Sequence, residues 1–520
     1  MTSRCVAEID FPPALLAHAV ASRFPLTRWN ATVLSPTDEQ TAAADAFRAG
    51  DHLVLQAGAG TGKTTTLALL AKATPRRGRY LAYNRAIARE AATRFPKSVV
   101  CKTAHAMAYA ALGHRFSRRL GGPRQSSWRT GQALGITKPL RLGDREISTR
   151  TLSNTTLRTV TRFCHSADDR LRPHHVPRLR GLEDDDHYTE FAQAIVPFAC
   201  RAWSDLQHSE DGVVRFDHDH YLKMWALTHP KTTADYLLLD EAQDTNPVVE
   251  QIFTAQRDHA QLVMVGDSAQ AIYHWRGARD VMTGFAGTAL ALSRSFRFGP
   301  RLAAEANRWL AVADAPIRLT GDEAVPTEVG PVDRPDAVLC RTNIGAMATV
   351  MDLLAAGHRV GLVGGGESLR ALAVAARDLK EGRRTGHPEL VLFTCWGEVQ
   401  DYAAHDPAGR DLQPLVDLVD THGTDALLTA IACILPEEQA EVTVSTAHKA
   451  KGREWPCVRI ADDFTPPEDI EETDETGQPV PGPIDDGEAR LAYVAVTRAR
   501  HHLDLGGLAW INDHPDGSQT

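Results

Sequence analysis

The stretch Ala57-Gly58-Ala59-Gly60-Thr61-Gly62-Lys63-Thr64-Thr65 constrains this chain more than any other. The apolar run His52 to Leu55 leads in with strand character, and Thr65 to Ala73 reads as a departing helix. The order is strand, glycine loop, helix start. Gly58, Gly60 and Gly62 let the backbone curl with its N–H groups pointing inward, where a side chain would block the approach of a polyphosphate. Lys63 offers a mobile charge for β and γ phosphates, Thr64 a hydroxyl for Mg²⁺, and the helix N-terminus its positive end. Ala57 stands where the usual pattern has glycine, at the position furthest from the lysine. A glycine-rich turn that binds nothing is the competing reading, but Gly-Lys-Thr-Thr between a strand and a helix favours nucleoside triphosphate binding. Gly58, Gly60, Thr61, Gly62, Lys63, Thr64 and Thr65 form the expected cradle.

At 520 residues the chain is long enough for three or four domains. Its 43% hydrophobic content is ordinary, and no apolar run reaches membrane-spanning length. Met1 to Asp10 carries Glu8 and Asp10 without an apolar targeting core, so a cytoplasmic protein with no membrane partner is expected. The eight cysteines are scattered without a C-x-x-C pair, which suits reduced thiols. A net charge of −9 argues against a nucleic-acid partner until its distribution is considered. Gly113 to Gly181 holds fifteen Arg and Lys against four Asp and Glu, leaving −20 for the rest. Arg115, Arg118, Arg119, Arg124, Arg129, Arg170, Arg172, Arg178 and Arg180 lie there with Trp128 and Phe163 interleaved. Either a solvated helical face or a nucleic-acid surface has this composition. Asp462 to Glu488, with eleven acids, five prolines and no Lys or Arg, reads as a loosely packed surface loop.

Along the chain, Thr37 and Gln40 have capping-box spacing for a helix that stops near Gly50. Gln40 either only caps or also reads an adenine edge, since its amide both donates and accepts. Arg79 to Arg85 and Ser98 to Cys101 are strand candidates, the second running into Thr103-Ala104-His105, where a hydroxyl and an imidazole suit a phosphodiester. Asp217-His218-Asp219-His220 resembles a metal site, but in a strand the two histidines and the two aspartates would face opposite ways. The apolar strand Tyr236 to Leu239 ends in Asp240-Glu241-Ala242-Gln243-Asp244. Asp240, at a buried strand tip, suits a Mg²⁺ contact, and Glu241 suits polarising a water. Leu262 to Val265 leads to Gly266-Asp267-Ser268-Ala269-Gln270-Ala271-Ile272-Tyr273-His274-Trp275-Arg276-Gly277. Gln270 is placed to sense a γ-phosphate, while Tyr273 and Trp275 either stack on unstacked bases or fill a core. The second half repeats the α/β rhythm without a second phosphate loop, with Ala289 to Leu292, Ala337 to Cys340 and Arg359 to Val363 as strands. Gly364-Gly365-Gly366, lacking Lys or Thr, reads as a turn.

Taken in order, these stretches resemble the UvrD/Rep-type superfamily 1A DNA helicases from Leu34 to Arg500. Gln40 matches the adenine-reading motif, Ala57 to Thr65 the first helicase motif, Asp240 to Asp244 the second and Gly266 to Gly277 the third. Ser295-Phe296-Arg297 falls at the fourth, Thr446-Ala447-His448-Lys449-Ala450-Lys451-Gly452 at the fifth, and Tyr493-Val494-Ala495-Val496-Thr497-Arg498-Ala499 at the sixth. Tyr221-Leu222-Lys223, Ser295 to Gly299 and Ile460 to Phe464 look closer to the F-box DNA helicases than to UvrD itself. No F-box-like segment is recognisable before Leu34, so ubiquitin-ligase partners are not expected, and no nuclease domain is expected after Arg500.

The resemblance implies an α/β fold of two RecA-like P-loop domains, parallel sheets flanked by helices, with inserted, mainly helical subdomains. The first domain is expected over 1–112 and 231–288, its basic helical insert over 113–230. The second is expected over 289–394 and 442–520, with a reduced insert over 395–441. ATP would lie between them, with Lys63, Thr64, Asp240, Glu241 and Gln270 from one side. Phe296 against adenine, Arg297 and Arg498 at the γ-phosphate and Glu454 near the ribose would come from the other. Thr64 and Asp240 would hold Mg²⁺. Single-stranded DNA would be gripped by Tyr83, Asn84, Thr103, His105, Tyr273, Trp275, Arg276, Thr446, His448 and Lys449. The implied activity is an ATP-dependent 3′ to 5′ DNA helicase or translocase with DNA-stimulated ATPase, acting in repair, recombination or replication. Its expected partners are single strands, strand junctions and loading or recombination proteins. The alternatives are a protein-displacing translocase and an ATP-switched DNA-binding subunit of a larger complex. The short 395–441 segment implies good translocation and weak unwinding by the chain alone.

Overall fold

Parallel strands dominate the computed structural model, which describes residues 35–518 apart from 123–124, 144, 180–184, 273–279, 388, 391–392, 406–411, 471–476 and 478. Strands β1 (Leu53–Ala57), β2 (Gly78–Leu81) and β3 (Val99–Lys102) alternate with helices Asp38–Ala49, Lys63–Lys72 and Arg85–Arg94. The helix starts are signalled locally: Thr37 closes its capping box with Gln40, and Asn84 Oδ1 accepts from Ile87 N–H at 2.9 Å. The chain then leaves the layer through helices Ala104–Ala111, Ser127–Ala133, Thr149–His165, Asp185–Leu206 and His218–Ala226, with a small hairpin of β4 (Leu140–Leu142) and β5 (Arg145–Ile147). It returns as β6 (Tyr236–Leu239), β7 (Gln261–Gly266) and β8 (Thr288–Leu292). The sheet order is β3-β2-β6-β7-β1-β8, every pair parallel. Both faces are covered, so β6 and β7 are buried along their whole length and appear as unbroken apolar runs.

A second six-stranded parallel sheet follows. It comprises β9 (Glu328–Val329), β10 (Ala337–Cys340), β11 (Val360–Leu362), β12 (Val442–Thr446), β13 (Trp455–Ile460) and β14 (Ala499–Asp504), ordered β11-β12-β10-β13-β14-β9. The two-sheet α/β fold expected from the sequence is therefore present. No described helix is long and apolar enough to cross a membrane, and the seven described cysteines are free thiols.

Three expectations need correcting. The boundary at residue 288 cuts off β8, which pairs with β1 from Leu53↔Thr288 to Ala57↔Leu292 and completes the first sheet. β8 is a mostly exposed edge strand, and its partner over 200 residues away is chosen only in three dimensions. The segment 395–441, expected as a reduced insert, packs into the core of the second sheet's helix layer. Its helices Trp396–His405, Gln413–His422 and Thr424–Ala432 bury Trp396, Val399, Leu415, Val419, Leu427 and Ile431 in one core with Val338, Met347, Val360 and Val444. Each helix has one apolar stripe, and the nearest uncovered apolar surface is the second sheet's own helix layer. Finally, Asp217 to His220 is a helix start, not a strand: Asp217 is the N-cap of His218–Ala226.

Candidate functional site

The glycine loop closes β1 onto helix Lys63–Lys72 at the C-terminal edge of the first sheet. Gly60 (φ 76°) and Gly62 (φ 78°) adopt the left-handed backbone that glycine permits. Space demands glycine as well. A Cβ on Gly58 would lie 2.1 Å from Leu319 Cδ2, and one on Gly60 would lie 2.5 Å from Ser295 Oγ. The loop is thus packed against the Ser295–Arg297 segment.

Asp240 directly follows β6, almost fully buried. Its Oδ2 accepts from Thr64 Oγ1 at 2.9 Å and from Tyr80 Oη at 2.6 Å. Burial, and then the charge of Glu241, raise its pKa. Glu241 is half-buried. Burial alone would raise its pKa, but Lys63, Lys451, the Gln243 amide and Arg498 together hold it below the usual carboxylate range. Its backbone is left-handed (φ 51°), an unfavourable place for a residue other than glycine and the kind of strain that accumulates at working sites. Gln243 Nε2 donates to Glu241 Oε2 at 2.7 Å, while Gln243 Oε1 accepts from Asp267 N–H at 3.0 Å. Asp267 in turn accepts from Gln270 Nε2 at 2.6 Å.

The other wall comes from the segment that follows β8 and from the starts of β13 and β14 in the second sheet. Phe296 N–H donates to Gly60 O at 2.9 Å, and Arg297 Nη1 donates to Thr497 O at 2.9 Å. Arg297 Nε lies 2.7 Å from Glu454 Oε2, and Arg500 lies 3.5 Å from the same carboxylate. Arg498 is fully buried and reaches Gln270 Oε1 with Nη2 at 3.4 Å. Burial, and then the charge of Arg297, lower its pKa to about 9. Gln40 Nε2 donates to Thr66 Oγ1 at 3.0 Å, and its Oε1 accepts from Thr37 N–H at 3.2 Å. Its capping role is therefore realised, while Phe296 and Gln40 both lie within 4 Å of where a Cβ on Gly62 would be. Thr61 donates to Gly58 O at 2.9 Å, and Thr65 is exposed on the first helical turn.

Sequence reasoning passed over four of these groups. Tyr80, Tyr493, Lys451 and Asp244 fall in or near matched motifs, but nothing local shows that they converge. Lys451 Nζ lies 2.6 Å from Asp244 Oδ2 and donates to Gln270 O across the cleft. Tyr493 Oη touches both the glycine loop and Asp267.

Thr103 and Thr446 share a local arrangement, although β3 is an edge strand of the first sheet and β12 an interior strand of the second. Each is buried at a strand end, starts a Thr-Ala-His sequence and caps the next helix, accepting from Ala106 N–H and Lys449 N–H. Their hydroxyls serve the backbone. His105 Nε2 lies 2.7 Å from Asp219 Oδ1, whose other oxygen lies 2.9 Å from His165 Nε2. Burial raises the Asp219 pKa, but hydrogen bonds from the two histidines hold it far below the usual range. Tyr83 and Asn84 are exposed, and His448 and Lys449 half-buried, the Lys449 side chain running over Gly364. Tyr273, Trp275 and Arg276 lie outside the described residues.

In the basic insert Arg115, Arg118, Arg129, Arg170 and Arg172 are exposed. Arg119 is buried, donating to Asp205 O, His208 O and Val214 O, and serves packing. Asp168, His174 and His175 bring donor atoms within 4.8 Å of one another. Lys223, bonded to Ser166 O and Asp168 O, already puts a positive charge beside them.

Two family models match the chain: the UvrD/REP helicase N-terminal domain over residues 37–283 and the UvrD-like helicase C-terminal domain over 408–506. Together they cover about two thirds of it. F-box DNA helicase protein 1 of Schizosaccharomyces pombe is 28% identical over 498 residues, covering 88% of this chain and 55% of the relative. F-box DNA helicase 1 of Gallus gallus is 27% identical over 490 residues, covering 87% and 47%. ATP-dependent DNA helicase UvrD2 of Mycobacterium tuberculosis is 27% identical over 355 residues, covering 54% and 48%. The chain spans about half the length of these relatives.

Proposed function

This chain belongs to the UvrD/Rep helicase family, and from that premise we propose that it is an ATP-dependent 3′ to 5′ motor on single-stranded DNA. The observation that carries the proposal is the composite cleft. Lys63, Thr64, Asp240, Glu241 and Gln270 line one side, and Arg498, bonded to Gln270, and Arg297 line the other. An arginine that completes a phosphoryl-transfer site only when two units close is worth roughly 10³ to 10⁵ in rate in P-loop enzymes. Hydrolysis is thereby tied to closure.

In this reading Gly58, Gly60, Thr61, Gly62, Lys63 and Thr65 cradle the phosphates, and Gln40 and Phe296 flank the base. Glu241, ionised and steadied by Gln243, orients the attacking water. Thr64 Oγ1 and Asp240 Oδ2, 2.9 Å apart, are hard oxygen donors of the kind Mg²⁺ takes, and the ion when bound would neutralise phosphate charge. Glu454 pairs with Arg297 here and would exchange that partner for the ribose. The matching Thr-Ala-His segments put one strand-end grip on each unit, so closure would move one toward the other along the strand. Polarity rests on family resemblance. The segment 395–441, absorbed into the second core, favours translocation and displacement of bound protein over unwinding by the chain alone. The test is the ATPase rate with and without single-stranded DNA, then strand separation on 3′- and 5′-tailed duplexes. Hydrolysis indifferent to DNA, or unwinding only from 5′ tails, would overturn the proposal.

A further inference from the structure

The hydroxyl of Tyr493 sits where three parts of the cleft meet. Tyr493 is fully buried on helix Asp486–Val496, which runs from the second unit directly toward Arg498. Its Oη accepts from the backbone N–H of Ala59, the third residue of the glycine loop, at 3.0 Å. The same Oη donates to Asp267 Oδ2 at 2.9 Å. Asp267 also accepts from Gln270 Nε2 at 2.6 Å, and Gln270 Oε1 faces Arg498 Nη2 at 3.4 Å. One phenol from the second unit therefore touches the phosphate loop and the carboxylate that aims Gln270. The arginine expected at the γ-phosphate lies five residues further along the same chain segment.

A phenol is suited to this place because it donates once and accepts once from a rigid ring with few rotamers. Burial, and then the charge of Asp267, push its pKa well above the usual value, so the donor role persists at all physiological pH. When the units part, the ring leaves with its helix. Ala59 N–H and Asp267 then lose a partner in the same event that withdraws Arg498. The glycine loop and the carboxylate that aims Gln270 would each then lose one of the contacts that hold them.

We propose that Tyr493 is a positioning residue that makes the geometry of the glycine loop and of Gln270 conditional on closure of the two units. The inference rests on the reading of this cleft as an ATPase centre. It separates Tyr493 from a residue that only satisfies buried polar groups, because a positioning role acts on turnover while a packing role acts on stability.

The experiment compares the full chain with Tyr493→Phe, which keeps the ring and deletes both hydrogen bonds. Steady-state ATPase at saturating single-stranded DNA, equilibrium binding of a fluorescent ATP analogue and the melting temperature are measured on both. The expected result is a kcat lower by about 30-fold, the scale of losing one charge-assisted and one neutral hydrogen bond. KM for ATP and analogue affinity should stay within about threefold of the parent. Asp267→Asn, which keeps the phenol and removes the charged acceptor, should show the same split and decides the matter if Tyr493→Phe does not fold. A folded Tyr493→Phe with kcat within twofold of the parent, or a KM rise matching the loss of analogue binding, overturns the inference. An unmodified chain with no DNA-stimulated hydrolysis refutes the parent reading, and this one with it.

Discussion

Replacing Lys451 by Met tests whether the closed cleft depends on the charge pair that spans it. Lys451 Nζ and Asp244 Oδ2 are 2.6 Å apart, with the two side chains 9% and 5% exposed. Removing one partner of a buried pair costs about 3 to 5 kcal/mol, because the other charge is left uncompensated. Here the partners come from different units, so the cost falls on closure rather than on the folding of either. At the lower end, about 3 kcal/mol corresponds to roughly a hundredfold loss of DNA-stimulated kcat. The loss should depend on pH. Burial raises the Asp244 pKa to about 6, with Lys451 opposing that rise and Glu241 adding to it. Without Lys451 the value moves higher still. A carboxyl whose pKa lies above its free value of about 3.9 is tolerated in the closed state while protonated and penalised as pH rises through its own pKa. The mutant-to-parent kcat ratio should therefore be nearest one at pH 6 and fall toward pH 8. The assay is coupled ATP hydrolysis at saturating DNA across that range, at fixed ionic strength. A ratio independent of pH, or a loss below threefold at pH 8, would show that the pair does not support closure.

Lys63→Ala should abolish ATPase and movement while single-strand binding, measured by anisotropy of a labelled oligonucleotide, stays within about threefold, because Lys63 starts the helix after the glycine loop, the place proposed for phosphate, and lies outside the basic insert. Glu241→Gln should retain ATP and DNA affinity and lose at least about a hundredfold in turnover, the scale of a positioned general base; retained turnover would remove Glu241 from its role. Asp219→Asn deletes the carboxylate shared by His105 and His165. It should weaken single-strand binding about tenfold, roughly 1.4 kcal/mol, by freeing the His105 ring, and unchanged affinity would mean His105 does not touch DNA. The depressed pKa of Asp219 adds stability above the free carboxylate value that is lost as pH falls, so the parent's melting temperature should drop more steeply with acid than the variant's.

Short-range chemistry was legible throughout. Thr37 with Gln40, Gly58 to Thr64, and Asp240 at the end of an apolar run each declare themselves within a few residues, because caps, glycine turns and buried strands are decided by neighbours along the chain. Motif order then named the far wall of the cleft, including Arg297 and Arg498, without any distance. What stayed illegible depends on which distant surfaces meet. The apolar Leu290 and Leu292 did not say that β8 completes the first sheet. Helical stripes through 395–441 did not say that they cover the second sheet instead of projecting from it. Asp219, legible only as part of a polar run, acquires a partner when His105 and His165 arrive from two other helices. The sequence by itself determined the phosphate loop, the acidic strand tip and the α/β class, since each is specified by local spacing. Only the tertiary structure decided that Tyr493 and Lys451 tie the two halves of the cleft together, because a hydrogen bond between residues 434 apart leaves no periodicity to read.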